Sequence, residues 1–317
     1  MMKALRINKD ASGAFSLNAV SLPIPKSKPG SALVKIHAAG INNSDTSNAK
    51  GYFPNTTFPR IPGRDFAGVV EDPSSSLNGK RVFGTSGHIL SYTEDGTHAE
   101  YCLVSEKGLT EIPKRLSFVQ AASIGVPWTT ALLTLKRAHT QSKDVVVILG
   151  ATGAVGDATT QLARSIGCKT ITASRGDTTD INLTSDPTLE SVKKLTDGRG
   201  ADVIINTVGD PQLMSNALKA LGFRGRLSYI ASNPPDSELT FSLKTVYRQE
   251  QTIVGTNSLA YEPEETAALL AEIAPGFDDG RYKMKGDDEF TQVKLGEEVV
   301  DVYNNFRAAK KRFVVVP

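Results

Sequence analysis

Three glycines in one short turn, Gly150, Gly153 and Gly156, constrain this chain more than any other feature. Five apolar residues, Val145 to Leu149, run into the turn. A helical apolar pattern follows at Val155, Ala158, Leu162, Ala163 and Ile166, and Gly167 stands as its stop. A second apolar run, Thr170 to Ala173, ends at Ser174-Arg175. Strand, glycine turn, helix, strand is the layout of a dinucleotide-binding βαβ unit. Gly153 must lack a Cβ so that the backbone can approach a pyrophosphate, and Gly156 lets the helix pack closely on the strand. The match is A-x-G-x-x-G, because Ala151 stands where the fingerprint usually begins with glycine. A buried parallel-sheet turn with incidental glycines is the alternative, and the strand-like and helix-like flanks argue against it.

The end of the second strand chooses between the two nicotinamide coenzymes. NAD wants an acidic residue about 20 positions past the turn, to bind the ribose 2′-hydroxyl. Here Ser174-Arg175-Gly176 stand in that place, with Asp177 slightly later. A 2′-phosphate wants a guanidinium fork and a hydroxyl. NADPH is therefore expected, with Arg175 as electrostatic partner and Ser174 as donor. A solvated loop arginine is the alternative, and Asp177 keeps it open.

A chain of 317 residues builds one large or two ordinary domains. With 39% hydrophobic and 22% charged residues it reads as soluble and globular, and a formal net charge of +2 gives no reason to propose a nucleic-acid partner. No stretch approaches the roughly 20 apolar residues of a membrane span, and no secretory signal opens the sequence. Two cysteines, Cys102 and Cys168, make no disulfide framework, and a reducing, cytoplasmic setting is the default expectation.

The first part reads as β-rich, with short strands expected at 3–7, 32–38, 68–71, 81–85 and 99–104, separated by Gly, Pro, Ser and Asn. That suggests a compact barrel-like unit. After the glycine turn the pattern alternates: strand 201–208, helix 212–221, strand 225–231, strand 251–255. Such alternation predicts a parallel sheet with helices on both faces. The tail carries helix signals at 263–274 and 295–306 and a strand at 312–316.

Taken in order, the segments AAGINNSD, IPGRDFAGVV, GTHAEYCLV, LSFVQAASIGVPWTTALLTL, the glycine turn, GRGADVIINTVG and KKRFVVV resemble the medium-chain dehydrogenase/reductase superfamily, in its zinc-independent quinone-reductase-like branch. The resemblance covers nearly the full length. It implies an α/β fold: a GroES-like β-barrel catalytic domain from residues 1–123 and 261–317, around a Rossmann doubly wound parallel-sheet nucleotide domain at 124–260. The active site is then expected in the interdomain cleft.

Zinc-dependent relatives place a cysteine where Asn42 stands and a histidine where Arg64 stands. Arginine has no lone pair to donate and neutral asparagine is a poor zinc ligand. His37, His88, His98 and His139 lack ligand spacing. No metal is expected. Without a Lewis acid, hydride can still add to an acceptor that is already electrophilic, such as a quinone, enone, enal or enoyl thioester.

The resemblance further implies roles for single residues. Asn42 is expected near the nicotinamide, at the ribose or the substrate oxygen; its alternative is a turn residue in Asn42-Asn43-Ser44-Asp45, where Asp45 fixes the turn. Tyr52 is expected to donate a hydrogen bond or proton, or else to be an exposed loop aromatic. Thr130 is expected to meet the nicotinamide, or else to be an ordinary helix threonine. Gly153, Ala154 and Val155 should meet the pyrophosphate through backbone N–H groups. Val208 and Gly209 should border the adenosine ribose, and Ile230, Ala231 and Ser232 the nicotinamide half. Lys310-Lys311-Arg312 resembles a family terminal segment, or is a solvated basic patch.

One departure stands out. The resemblance implies a helix between the second and third strands, yet Ser174-Arg175-Gly176-Asp177 runs almost directly into an expected third strand at 180–183. The grip on a 2′-phosphate then rests on Arg175. The expected activity is NADPH-dependent, zinc-independent hydride transfer to a quinone or other α,β-unsaturated carbonyl. An enoyl-thioester or biosynthetic-intermediate reductase is a second reading, and an NADPH-binding structural or regulatory protein a third. The loop 85–97 is a candidate for shaping the substrate side. A homodimer is expected through an edge at 251–257.

Overall fold

The structure is a computed structural model and describes residues 1–234, 236–309 and 311–317. Lys310 of the terminal basic run lies outside the described residues. The chain forms two compact units, Met1–Thr129 with Leu259–Pro317, and Thr130–Ser258.

The first unit opens with a hairpin. Strand β1 (Met2–Lys9) pairs antiparallel with β2 (Phe15–Leu22), from Met2 opposite Leu22 to Lys9 opposite Phe15. The sequence reading missed β2, whose side chains are only partly covered on either face. Strand β3 (Ser31–Gly40) leads into the short helix α1 (Asn43–Asn48). Strands β4 (Phe66–Val70), β5 (Arg81–Gly84), β6 (Tyr101–Ser105) and β7 (Thr110–Glu111) follow, then α2 (Phe118–Ala122) and α3 (Gly125–Arg137). All pairings among β3 to β7 are antiparallel, and β3 is bonded on both sides, by β4 and β6.

The second unit is a single parallel sheet. Its elements are β8 (Val145–Leu149), α4 (Ala154–Ile166), β9 (Lys169–Ser174), β10 (Ile181–Asn182), α5 (Glu190–Leu195), β11 (Ala201–Asn206), α6 (Pro211–Ala220), β12 (Leu221–Tyr229), α7 (Leu243–Arg248) and β13 (Thr252–Gly255). The strand order is β10-β9-β8-β11-β12-β13. Counted within the unit this is 3-2-1-4-5-6, which places the reversal of direction beside β8. All five residues of β8 are buried, as a central parallel strand covered on both faces requires. Helix α4 ends at Gly167 in the left-handed conformation (φ 93°), a cap that favours glycine. Residues 175–180 form only turns and bends between β9 and β10. Strand β12 begins four residues earlier than its expected start at 225, over a register irregularity against Ala201 and Val203.

The chain then completes the first unit. Helices α8 (Pro263–Ile273) and α9 (Pro275–Asp278) lead to β14 (Thr291–Lys294), α10 (Glu297–Ala309) and β15 (Phe313–Val316). Strand β15 pairs antiparallel with β3, Val314 opposite Gly40, and parallel with β14. One apolar core therefore joins Val34, Ile36 and Phe66 with Val293, Phe313 and Val315. Among the described residues, no helix is long and apolar enough to cross a membrane.

Candidate active site

The glycine turn of the second unit is built as a cradle. Gly150 adopts φ +83°, and a Cβ there would sit 2.4 Å from Thr207 Oγ1. A Cβ on Gly156 would sit 2.2 Å from Gly150 O and 2.7 Å from Ala151 Cα. Gly156 thus lets the helix close on the turn itself, rather than on the strand as its spacing suggested. Gly153 is the N-cap of α4, and a Cβ on it would meet only Gly150 O, at 3.3 Å. Its other side is open to a ligand. The N–H groups of the first helical turn, with Ala154 and Val155 at its start, have no acceptor within the helix and carry its positive end. Such a terminus suits a phosphate.

The neighbouring loops are tied together by a residue the sequence reading passed over. Asn206 is fully buried at the end of β11, and its Oδ1 accepts from Val208 N (2.8 Å) and Gly209 N (3.2 Å). Thr207 Oγ1 donates to Leu149 O at 2.8 Å. Gly209 has φ +78°, and a Cβ on it would lie 2.6 Å from Ala231 O. Asn233 N donates to Gly209 O. Val208–Gly209 and Ile230–Ala231–Ser232 therefore form one joined rim. The Ser232 hydroxyl is turned into its own loop, donating to Pro234 O at 3.0 Å. An asparagine followed by Thr-Val-Gly after an apolar strand was the available signal for this hub.

At the end of β9 the Ser174 hydroxyl is buried, paired with Thr179 Oγ1 (3.1 Å) and accepting from Gly176 N (3.3 Å). Asp177 accepts from Asn182 Nδ2 at 2.6 Å. Asp180 accepts from both Thr172 N and Thr172 Oγ1 at 2.7 Å. The loop's own carboxylates are thus spent on holding the loop. Arg175 stays exposed, and no hydrogen bond or ion pair among the described residues engages its guanidinium.

In the first unit a buried charged cluster surrounds Asn42. Asn42 starts α1, and its N–H donates to Asp45 Oδ2 at 2.7 Å. Its Nδ2 donates to Asp65 Oδ2 at 2.9 Å. Arg64 is only 2% exposed. It donates to the carbonyls of Ser86 (3.1 Å) and Gly87 (3.2 Å) and to Ser44 Oγ (2.9 Å). The loop 85–97 is therefore anchored on Arg64 near its start. Burial pushes both the Asp45 and the Asp65 carboxyls up to about 6, against the pull of the Arg64 guanidinium. His98 is driven down to about 4 by burial. Its Nε2 faces Gly40 O at 3.1 Å, so it carries the hydrogen, and Nδ1 accepts from Tyr303 OH at 2.8 Å. Tyr52 is 61% exposed. Thr130 is buried in α3, and its hydroxyl has no partner among the described residues.

These residues do not fit a zinc ion. The Arg64 guanidinium has donors only, and its terminal nitrogens face two carbonyls and a hydroxyl. Both nitrogens of His98 are used, and burial pushes the Cys102 thiol upward, away from thiolate.

A parallel sheet ordered 3-2-1-4-5-6, with a glycine turn after its central strand, defines a dinucleotide-binding domain of the Rossmann class. Comparison with known proteins carries this further. A family model described as an alcohol dehydrogenase GroES-like domain matches residues 28–114, and one described as a zinc-binding dehydrogenase matches residues 154–274. The second match lies outside the positions of Asn42 and Arg64. A zinc-type alcohol dehydrogenase-like protein of Schizosaccharomyces pombe is 46% identical over 99% of this chain and 97% of its own. A quinone oxidoreductase of Sus scrofa is 31% identical over 94% of this chain and 92% of its own. The solved structure of an alcohol dehydrogenase superfamily protein from Novosphingobium aromaticivorans shares the fold, with TM-score 0.85, 23% identity and 100% of both chains covered. The chain belongs to the medium-chain dehydrogenase/reductase superfamily, in its quinone-oxidoreductase-like branch, and is an oxidoreductase.

Proposed function

We propose that this protein is an NADPH-dependent, zinc-independent reductase of quinones or other α,β-unsaturated carbonyls. The observation that carries the reading is Arg64. It stands at the ligand-histidine position, buried, with its terminal nitrogens donating to Ser86 O, Gly87 O and Ser44 Oγ. Lacking a Lewis acid there, the enzyme needs an acceptor whose own conjugation supplies the electrophile. When bound, NADPH supplies the hydride. Ala154 and Val155 would hold its pyrophosphate by backbone N–H groups, Arg175 would pair with the 2′-phosphate, and Gly153, whose own N–H is donated to Gly150 O, would contribute close approach rather than a hydrogen bond. Asn42, Tyr52 and Thr130 are the proposed contacts to the nicotinamide half and the acceptor, with Tyr52 the group that holds a proton for the reduced product. Strand β13, bonded to β12 alone among the described residues, is the proposed edge for pairing two copies of the chain.

The test follows NADPH oxidation against a panel of quinones, enals, enones and plain aldehydes, before and after dialysis against a chelator. Turnover of conjugated acceptors that survives chelation is expected. Bound zinc in stoichiometric amount, with turnover lost on its removal, sinks the reading. Tight NADPH binding without oxidation by any acceptor sinks it in favour of a binding protein.

A further inference from the structure

Asp65 is held from several sides beside Asn42. Val126 N, in the first turn of α3, donates to both of its oxygens at 2.9 Å. Thr97 Oγ1 holds its backbone carbonyl at 3.0 Å. A Cβ on Gly125 would lie 2.2 Å from Asp65 Oδ1, so the carboxyl reaches the helix start only because residue 125 is glycine. Asn42 donates to the remaining face of this anchored carboxyl and is itself half-buried.

An ionised carboxylate only accepts hydrogen bonds, whereas a protonated one also donates. While Asp65 is charged, the Asn42 amide must therefore turn its NH2 toward Asp65, which leaves its carbonyl oxygen for a ligand hydroxyl. Once Asp65 is protonated, its O–H has two acceptors in reach, the Asn42 oxygen and the buried Thr85 hydroxyl. Where the proton faces Asn42, the amide turns over and leaves its NH2 for a ligand oxygen.

We propose that Asp65 is a positioning residue whose charge sets which end of the Asn42 amide a ligand meets. Its effect on turnover rests on the reading that Asn42 contacts the coenzyme or the acceptor. The charged groups that act on Asp65 are Arg64, which favours ionisation, and Asp45, which opposes it. His98 is already neutral above about pH 4, and burial keeps Tyr92 and Tyr303 protonated. Burial places both carboxyls near about 6, so the reversal of the amide falls in a usable range of pH.

The experiment is a titration of the coenzyme-free protein between about pH 5 and pH 8, the range in which these buried carboxyls ionise. The side-chain NH2 signal of Asn42 is followed by nitrogen-15 NMR and assigned by its loss in Asn42→Ala. In Asp45→Asn, which removes the other carboxyl bonded to Asn42, this signal shifts with a single midpoint shared with the Asp65 carboxyl carbon. Adding Asp65→Asn abolishes that shift. In the wild type the Asp65 midpoint lies at higher pH, because the Asp45 charge faces it. The kcat/KM for the acceptor bends at the same midpoint in the wild type and is flat in Asp65→Asn. An Asn42 signal in Asp45→Asn that ignores pH, or one that still titrates when Asp45 and Asp65 are both replaced by asparagine, overturns the proposal. If the double variant folds poorly, the midpoint shared with the Asp65 carboxyl carbon in Asp45→Asn decides alone. Wild-type kcat/KM in Asn42→Ala instead removes the role of Asn42 in turnover, while the NMR titration still judges Asp65.

Discussion

Arg64 and Arg175 show how differently one side-chain type is used in this chain. Arg64 is buried beside the Asp45 and Asp65 carboxyls, and its field is what keeps their burial tolerable. Arg64→Met leaves both carboxyls without that cation. A loss of about 3–5 kcal/mol of stability is expected, as for one partner removed from a buried charge pair, and is read from urea unfolding. Arg175 is exposed, and its guanidinium is engaged by none of the described residues. Arg175→Ala should raise the KM for NADPH by about 10- to 100-fold, the worth of a charged hydrogen bond, and leave the KM for NADH nearly unchanged. Equal changes for both coenzymes would remove the 2′-phosphate assignment.

At the scale of elements, the glycine turn and α4 were fully legible, because spacing alone identifies a strand, a tight turn, an amphipathic helix and a glycine stop. Gly156→Ala tests the closest packing in that unit. Its Cβ would meet backbone at 2.2 Å, which cannot move aside as a flexible side chain can. The variant should lose about 1–3 kcal/mol of stability, the ordinary cost of overpacking, together with coenzyme affinity measured by calorimetry. Normal affinity would show that the turn relaxes freely.

Other elements were hidden for physical reasons. Helices α1 and α2 are too short for a periodic signal, and α7 buries none of its residues. The Asp65 cluster joins positions 42, 65 and 126, and nothing local to any of the three announces the other two. Arg64 was legible only as a residue that cannot bind metal. Its carbonyl partners at 86 and 87 depend on how the loop folds back.

For the molecule as a whole, the two buried carboxyls set a dependence of stability on pH. Their folded values, about 6, lie above the ordinary 3.8. The folded state therefore binds more protons than the unfolded chain between about pH 4 and pH 6, and stability falls as pH rises through that window, then levels off. Each carboxyl contributes up to about 2–3 kcal/mol to this fall, because each tenfold gain in proton affinity on folding is worth about 1.4 kcal/mol. Thermal melts from about pH 4.5 to pH 7 should show it, and Asp45→Asn should flatten it. A melting temperature that climbs steadily over that range would contradict the burial of these acids.

The pairing of β15 with β3 has a consequence for how the polypeptide is made. Every strand of the parallel sheet lies in one uninterrupted stretch, whereas β3 meets a neighbour some 270 positions downstream, as the Ala39–Val315 pairing shows. On the ribosome the middle of the nascent chain can close first, as a unit of local connections. The Ala39–Gly40 end of β3 must wait unpaired until β15 emerges, and that waiting interval is when a chaperone has most to offer.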